Sequence, residues 1–266
     1  MDQQRLQSTG IVEFLDEYSS YLVLGHKEPD GDCVASQLVL ASYLGKKGKR
    51  TALLSAGPFT RTEIAPFASR FEDKLPPWAS EPGVAAVILD CSSIARTGPL
   101  GDAIAVRMDS GLAVAVIDHH ASRDSVAEAK AGMPGVPESI LRCIDPTAPA
   151  VAFMIQGILE IASYEMNAQE AELLFFGLCT DTGFFRHLDV GSSSVFEAAA
   201  RLIASGASPK QAFDAMNGGK PFASRKLMGE LLARAETSYD GRLIMTWMDL
   251  QDQERYGLVG RDSDML

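Results

Sequence analysis

Short, continuously apolar runs alternate with segments of helical periodicity along the first two thirds of the chain. Residues 84–89 and 112–117 are apolar runs of strand length, and residues 21–24 and 50–55 are two further predicted strands. Strands that are apolar on both faces are typical of a parallel sheet covered by helices on each side. The pattern therefore predicts an α/β fold with a doubly wound, mainly parallel β-sheet, followed by a mostly helical segment.

The helical segments carry apolar positions three and four residues apart. Asn167 followed by Glu170, and Ser194 followed by Glu197, match the sequence signature of a capping box at a helix N-terminus. Ser208 before a proline marks another helix start. Helices are predicted over residues 8–19, 33–44, 148–162, 167–181, 194–205, 208 onward and 224–236, with a strand over 242–248. Residues 58–82 and 122–146 are predicted to be loops with short elements, and 251–266 shows no pattern.

Charge and composition narrow the classes of function. The chain of 266 residues has a net charge of −11 and a mean hydropathy of +0.02. An acidic surface argues against non-specific binding of long nucleic acid, which depends on clustered lysine and arginine. A small phosphorylated ligand held by metal ions is compatible with this charge. No apolar run is long enough to predict a signal peptide or a membrane span.

The four cysteines are far apart and form no C-x-x-C pair. They are interpreted as small buried side chains and as reduced thiols, which predicts a cytoplasmic protein without a disulfide framework.

Acids and histidines follow the predicted strands. His26, Asp30 and Asp32 come after the first strand and Asp90 after the third. The triplet Asp118-His119-His120 follows the fourth, and Asp181 ends a predicted helix. Three of the four histidines of the chain lie in these segments. Because the carboxyl ends of parallel strands meet at one edge of a sheet, these segments predict a common site.

Imidazole and carboxylate groups together suit divalent metals such as Mn²⁺. Asp30 and Asp32 are close enough in sequence to serve two neighbouring ions, and Asp90 is the candidate for a bridging carboxylate. Of the adjacent His119 and His120, one could bind metal while the other faces substrate and protonates the leaving group. The structural alternative, in which each acid caps a helix or turn, is plausible for any one residue and much less so for the combination.

These motifs resemble the DHH phosphoesterase superfamily, whose name spells the triplet at residues 118–120. The likeness covers His26-Lys-Glu-Pro-Asp30-Gly-Asp32, Asp90, the triplet and Thr180-Asp181-Thr182-Gly183, in that order. The chain is most similar to the branch that contains oligoribonucleases (exonucleases of nanoRNA), pAp phosphatases and cyclic-dinucleotide phosphodiesterases.

The resemblance implies two Mn²⁺ ions, with Mg²⁺ or Co²⁺ as substitutes. One ion would be held by His26, Asp30 and Asp90; the second by Asp32, Asp90, His119 and Asp181. Asp118 would orient a neighbouring ligand, His120 would contact the scissile phosphate, and Arg186 is a weaker candidate for a phosphate contact. For His187 a structural role is predicted.

The chain departs from this branch in one respect. Its members carry a second domain, DHHA1, with a Gly-Gly-Gly-His element that grips the nucleotide, and Gly218-Gly219-Lys220 does not match it. We therefore expect a truncated gene product or a member reduced to its catalytic half. The predicted organisation is a catalytic α/β core over residues 1–190, its helical continuation over 191–240, and a strand and connector over 241–266.

Two classes of function follow from the resemblance. The first is a metal-dependent hydrolase of short phosphodiesters or phosphomonoesters (nanoRNA, pAp, linear or cyclic dinucleotides), with manganese inorganic pyrophosphatase as the enzymatic alternative. The second is a catalytically weak module that binds metal and nucleotide. Membrane partners are not expected, and homodimerisation is left open.

Overall fold

The computed structural model describes residues 3–120, 140–219 and 221–257. Its main sheet has five strands in the order β2-β1-β3-β4-β5, and every neighbouring pair is parallel. The strands are β1 Ser20–Leu24, β2 Arg50–Leu54, β3 Val84–Leu89, β4 Ala113–Asp118 and β5 Ile140–Ile144. Strand direction and order confirm the predicted mainly parallel sheet.

Nine α-helices occur within these ranges. They are α1 Gln3–Glu17, α2 Gly31–Lys46, α3 Pro99–Met108, α4 Val151–Ile161, α5 Ala168–Asp181, α6 Ser193–Ala204, α7 Pro209–Asn217, α8 Phe222–Ala233 and α9 Leu250–Tyr256. Short 3₁₀ helices span Ala65–Arg70, Pro77–Ser80 and Ile94–Thr97. The first two lie in the segment for which short elements were predicted, whereas the sequence patterns gave no prediction for α3.

Alternate residues of each central strand pack on opposite faces of the sheet. On one face, Val23, Val87 and Ala115 pack with apolar side chains of α1, α2, α4 and α5. On the other face, Leu22, Ile88, Val114 and their neighbours contact α3. Both faces are therefore buried, which explains why these strands are continuously apolar in sequence.

The caps of the helices after the sheet test two predictions. Asn167 Oδ1 accepts a hydrogen bond from the Glu170 N–H (3.0 Å) and Glu170 Oε2 accepts one from the Asn167 N–H (2.9 Å), so the capping box is confirmed. The one predicted at Ser194 is wrong. Helix α6 begins at Ser193, which places Ser194 inside the first turn, and the N-cap Ser192 makes no side-chain capping bond.

The C-terminal part of the described chain differs from its prediction in three places. Helix α8 ends at Ala233, and the residues after it form strand β6, Glu236–Ser238. This strand pairs in antiparallel fashion with β7, Leu243–Met245, which is shorter than the predicted strand. Helix α9 occupies a segment for which no element was predicted, and its capping box is made by Asp249 and Asp252.

Residues 121–139, within the predicted loop, and residues 258–266, within the predicted connector, lie outside the described residues. The proposed domain boundaries at 190 and 240 stay predictions. None of the helices in the described ranges has the length and apolar character needed to cross a bilayer.

Candidate metal centre

The candidate site lies where the direction of chain progression across the sheet reverses. From β1 the chain first adds β2 on one side and then returns to place β3 on the other. The loops that follow β1 and β3 therefore diverge and leave a crevice at the carboxyl edge of the sheet, which is where open α/β sheets bind ligands. His26 follows β1, Asp90 follows β3, and Asp118 is the last residue of β4.

The turn from β1 to α2 supplies the first three candidate ligands. His26 Nδ1 lies 2.8 Å from the Lys27 carbonyl oxygen, which fixes Nδ1 as the protonated nitrogen and leaves Nε2 free to accept. This Nε2 lies 3.4 Å from Asp90 Oδ2 and 3.8 Å from Asp30 Oδ2. Asp30 is also the N-cap of α2, because its Oδ1 accepts from the Cys33 N–H at 3.1 Å.

Gly31 allows this turn to sit against the end of α5. A Cβ at this position would lie 2.4 Å from Thr180 Cγ2 and 2.6 Å from its hydroxyl oxygen. Any larger residue would push the start of α2 away from Thr180 and from the neighbouring Asp181. The close approach of α2 to the end of α5 therefore requires glycine at position 31.

Asp32 is fully buried and anchors α4 to the site. Its Oδ2 accepts from the Val151 N–H at 2.6 Å and its Oδ1 from the Ala152 N–H at 2.7 Å, with the Ser36 hydroxyl 3.3 Å away. The N-terminal N–H groups of a helix favour a carboxylate. Asp32 consequently positions one more element around the crevice.

Asp90 is central to the cluster. Its backbone has φ = 60°, in the left-handed region that non-glycine residues seldom occupy. Its Oδ2 faces His26, while its Oδ1 lies 3.6 Å from both His119 Nε2 and His120 Nδ1. Strain of this kind is retained mainly at functional positions.

The two histidines of the triplet are oriented differently. His119 Nδ1 lies 3.2 Å from the Ala148 carbonyl oxygen, so that Nε2 points inward, 3.1 Å from Asp181 Oδ2. His120 Nδ1 lies 2.8 Å from Asp118 Oδ1, which also accepts the backbone N–H groups of both histidines. The imidazole of His119 therefore faces the carboxylates, whereas the half-exposed ring of His120 presents Nε2 to the cleft.

The electrostatics of the cluster reflect crowded acids. Burial and the negative charges of Asp90 and Asp181 raise the pKa of Asp32 well above its usual range. Burial, together with Asp30 and Asp90, also raises the pKa of Asp181 despite the opposing contact with His119. Several carboxylates so close together need positive charge for all of them to ionise.

The imidazoles supply part of this charge. Burial disfavours the charged form of His119, but its contacts with Asp181 and Asp90 outweigh burial and raise its pKa to about 11. For His26, contacts with Asp30 and Asp90 likewise outweigh burial and raise the pKa. Burial alone would raise the pKa of Asp30, but the contact with the His26 imidazole outweighs burial and lowers this pKa to about 2. A bound divalent cation would replace these protons.

Three buried polar atoms of the cluster fit a metal centre. Asp90 Oδ1, Asp118 Oδ2 and His119 Nε2 have no hydrogen-bond partner among the described residues. The contact between His119 Nε2 and Asp181 is within ion-pair distance but lacks hydrogen-bond geometry. Leaving such atoms unpaired is costly unless a ligand completes them.

Candidate ligand atoms lie within 4.8 Å of one another in three groups, which comprise His26, Cys33 and Asp90; Asp90, His119 and His120; and Asp32, His119 and Asp181. Asp90 belongs to the first two groups and His119 to the last two, as neighbouring ions that share ligands would require. Cys33 donates from its thiol to Gln37 Oε1 at 3.6 Å. It was interpreted from sequence as a small buried side chain, and it is buried.

Comparison with known proteins identifies the family of this chain. Residues 20–178 match the model of the DHH family, N-terminal domain. The chain belongs to the DHH family. The matched segment includes every candidate ligand except Asp181.

One curated protein resembles this DHH chain in sequence, and one solved structure resembles it in fold. It is 28% identical over 222 residues to the bifunctional oligoribonuclease and PAP phosphatase NrnA of Thermus thermophilus, a match covering 82% of this chain and 60% of that protein. The chain thus spans less than two thirds of the length of this curated relative. An exopolyphosphatase-related protein from Bacteroides fragilis shares the fold with a TM-score of 0.80 at 16% identity, covering 98% of this chain and 74% of that one.

The structure brings together the predicted metal-site residues of the DHH chain. The Arg186 side chain is exposed and lies 3.4 Å from His187, and its contact with a substrate phosphate stays a prediction. His187 packs on Gly183, where a Cβ would lie 2.5 Å from its ring nitrogen. This contact agrees with the structural role predicted for His187.

The cleft contains two arginines that the sequence analysis overlooked. Arg61 and Arg96 line a cavity of about 310 Å³ together with His26, Asp30 and His120. Both follow a strand of the sheet by a few residues, as the candidate acids do. That position was the available signal, and neither arginine belongs to a motif that would have drawn attention to it.

Proposed function

We propose that this DHH chain is a metal-dependent phosphoesterase that hydrolyses short phosphodiesters or phosphomonoesters of nucleotides. The observation that carries the proposal is the convergence of His26, Asp90 and His119 at the strand tips with buried ligand atoms left unpaired. A buried cluster of this kind contributes little to the stability of the fold, whereas it provides the ligands needed to bind divalent cations.

The metal assignment is the one that the family resemblance implies. His26, Asp30 and Asp90 would hold one cation, and Asp32, Asp90, His119 and Asp181 the other, with Asp90 between them. Mixed imidazole and carboxylate ligands favour Mn²⁺ over Mg²⁺, with Co²⁺ as a substitute. Such cations would provide the Lewis acidity that activates water and neutralises the phosphate in a displacement reaction.

His120 and Asp118 are the proposed site residues that do not bind metal. Asp118 accepts the Nδ1 proton of His120, so the imidazolium form of His120 can donate its Nε2 proton toward an oxygen of the scissile phosphate or of the leaving group and becomes neutral imidazole. Asp118 also receives the backbone N–H groups of the triplet, which keeps the imidazole in one orientation. His120 is thus the candidate general acid, and Asp118 is its positioning residue.

The acidic chain favours short substrates. With a net charge of −11, it lacks the overall positive field that attracts polymeric nucleic acid. The relative from Thermus thermophilus is named as an oligoribonuclease and PAP phosphatase. NanoRNA, pAp and linear or cyclic dinucleotides are therefore the proposed substrates, and the cytoplasm is the proposed location.

The test compares the wild-type chain with Asp90→Asn and with the surface control Asp73→Asn. Each is incubated with Mn²⁺ and either a 5′-phosphorylated dinucleotide, pAp or pyrophosphate, and the products are quantified by chromatography. We expect turnover of a nucleotide substrate, a loss of about 10³-fold or more in Asp90→Asn, and no change in Asp73→Asn.

Other outcomes have defined meanings. Equal turnover by Asp90→Asn would refute the site. Faster hydrolysis of pyrophosphate than of any nucleotide would identify a pyrophosphatase instead. Mn²⁺ binding by calorimetry without turnover of any substrate would show a binding module, which is the alternative raised by the chain's shorter span relative to NrnA.

A further inference from the structure

A buried thiol lies beside two of the candidate metal ligands. The ligand atoms of His26, Cys33 and Asp90 lie within 4.8 Å of one another. All four cysteines of the chain are buried, and among the residues that the structure describes Cys33 is the one that belongs to such a group. Proximity to an imidazole and a carboxylate separates Cys33 from a cysteine that only fills space in the core.

The local structure fixes the Cys33 sulfur against the turn that carries His26. Cys33 is the third residue of α2, and its N–H donates to Asp30 Oδ1 at 3.1 Å. A Cβ at Gly25 would lie 2.1 Å from Cys33 Sγ, so the chain immediately before His26 runs against the thiol. The sulfur is therefore held between the start of α2 and the end of β1.

A glutamine accepts the thiol hydrogen. Gln37 Nε2 donates to the carbonyl oxygens of Val23 at 3.0 Å and Leu54 at 3.1 Å, which fixes the orientation of the amide. Gln37 Oε1 is thereby left to accept the hydrogen of the Cys33 thiol at 3.6 Å. Because the S–H bond is directed at Gln37, the lone pairs of the sulfur are available to a cation.

The spacing of the donors fits a single thiophilic cation. His26 Nε2 and Asp90 Oδ2 are 3.4 Å apart. Donors at about 2.0–2.3 Å from a tetrahedral Zn²⁺ ion lie about 3.3–3.6 Å from one another, so the observed separation matches two ligands of one ion. Three protein donors with a fourth position open are the arrangement of catalytic zinc sites.

Asp90 is independent evidence that this group binds a cation. Its side chain is 1% exposed, and its Oδ1 has no hydrogen-bond partner within the described parts of the chain. A buried carboxylate oxygen without a donor is costly unless a ligand completes it. The cysteine is therefore adjacent to a carboxylate that is built to receive positive charge.

Coordination by the thiol requires the loss of its proton. Burial raises the pKa of Cys33 to about 12, so the thiol is neutral until a cation displaces the proton. The S–H bond then breaks, the electron pair stays on sulfur and forms the bond to the metal, and the proton passes to the buffer. The thiolate lies in the first turn of α2, where the positive end of the helix dipole favours negative charge.

We propose that Cys33 is a thiolate ligand at the first of the two proposed cation positions, and that it widens the preference of this position for thiophilic cations, such as Zn²⁺ and Co²⁺, over Mn²⁺. The inference rests on the proposed function, which places one cation among His26, Asp30 and Asp90. Zn²⁺ exceeds Mn²⁺ in affinity at most sites, and a soft thiolate donor increases that difference.

The test follows sulfur coordination directly. Wild-type chain, Cys33→Ser and the control Cys143→Ser are stripped of metal and titrated with Co²⁺ under reducing conditions. The control removes a buried thiol of β5 that belongs to none of the three candidate groups. We expect a near-ultraviolet sulfur-to-cobalt charge-transfer band in wild type and in Cys143→Ser, and none in Cys33→Ser. The Kd for Zn²⁺, measured by competition calorimetry, should rise about tenfold or more in Cys33→Ser, while the Kd for Mn²⁺ stays within about twofold.

Three results would overturn the proposal. Absence of the band in wild type would show that sulfur does not bind the cation, and this result does not depend on the folding of any variant. A band that persists in Cys33→Ser, or that is lost equally in Cys143→Ser, would exclude Cys33 as the specific ligand. Equal losses of Zn²⁺ and Mn²⁺ affinity in Cys33→Ser would indicate a packing defect and no selectivity.

Failure of the proposed function gives a different result. A wild-type chain that shows the band and hydrolyses no nucleotide would refute the function and leave Cys33 as a ligand. Turnover of a nucleotide with Mn²⁺ by a chain that shows no band with Co²⁺ would refute the role of Cys33 alone.

Discussion

Two clusters of buried polar groups in this molecule are completed in opposite ways. The Glu170 cluster consists of Glu170 with its donors Ser42, Lys46, Tyr164 and Asn167. Both Glu170 oxygens accept hydrogen bonds, at 2.6 Å from the Ser42 hydroxyl and 2.9 Å from the Asn167 N–H, for example. The metal-site cluster, defined by the predicted ligands from His26 to Asp181, leaves Asp90 Oδ1 and His119 Nε2 unpaired in the described structure.

The difference separates residues that serve folding from residues that serve binding. Glu170 joins α2, the residues before α5 and the first turn of α5 through contacts with Lys46, Tyr164 and Asn167. Burial is outweighed by these donors, so the pKa of Glu170 is lowered. In the metal-site cluster, mutual repulsion and burial raise the pKa of Asp32. A buried carboxylate that is surrounded by hydrogen-bond donors stabilises the fold. A buried carboxylate that faces other carboxylates is stable in its charged form only when a cation is bound.

The largest expected effect is on catalysis by His120. Replacement by alanine should lower kcat by about 10²–10⁴-fold, because it removes the proposed general acid. Mn²⁺ affinity should be unchanged, since His119 and the acids stay in place. Steady-state kinetics with a dinucleotide and calorimetry with Mn²⁺ check both statements. His187→Ala is the matched control, and equal losses in the two variants would contradict the assignment.

Metal addition should distinguish the two clusters by stability. A ligand at about 100 times its Kd stabilises the folded state by about 2.7 kcal/mol. Mn²⁺ should therefore raise the midpoint of thermal unfolding of wild type and of Glu170→Gln by similar amounts. Asp90→Asn should gain little, because the carboxylate proposed to be shared by the two metal ions is lost. A full gain in Asp90→Asn, measured by calorimetric scanning, would show that the metal binds elsewhere.

Removing the Glu170 charge should affect stability and leave catalysis intact. We expect Glu170→Gln to lower the free energy of unfolding by about 2 kcal/mol, since hydrogen bonds to a charged acceptor are lost in a buried place. Urea denaturation measures this change, and kcat under saturating Mn²⁺ should stay within twofold. Glu165→Gln, an exposed neighbour, is the control. A stability equal to that of wild type would refute a structural role for the Glu170 cluster.

The smallest effect is the pH dependence of that contribution. The pKa of Glu170 is lowered in the folded state, whereas in the unfolded chain it lies at about 4.3. Its stabilisation is therefore fully present above the unfolded pKa and is lost as pH falls through the folded pKa. The stability gap between wild type and Glu170→Gln should be constant from pH 7 to 6 and shrink below about pH 4.3. A gap that widens on acidification would contradict this sign.

The sequence predicted local features wherever the determining interactions are close in the chain. Asn167 and Glu170 are three residues apart, so their reciprocal hydrogen bonds could be recognised from residue type alone. The same signature at Ser194 failed because α6 begins one residue earlier, at Ser193, so that Ser194 lies inside the helix instead of capping it. Helix α9 escaped prediction because its apolar positions are few and its capping box is made by two acids, Asp249 and Asp252.

The continuously apolar strands were enough to predict a parallel α/β sheet, and the residue types at the strand ends were enough to predict a set of candidate metal ligands. The sequence could not decide which loops face each other, because that depends on the strand order β2-β1-β3-β4-β5 and on the reversal between β1 and β3. This reversal brings Arg61 and Arg96 to the cavity lined by His26. Side-chain chemistry is a local property of the chain, whereas proximity between distant loops is set by how the whole sheet is packed.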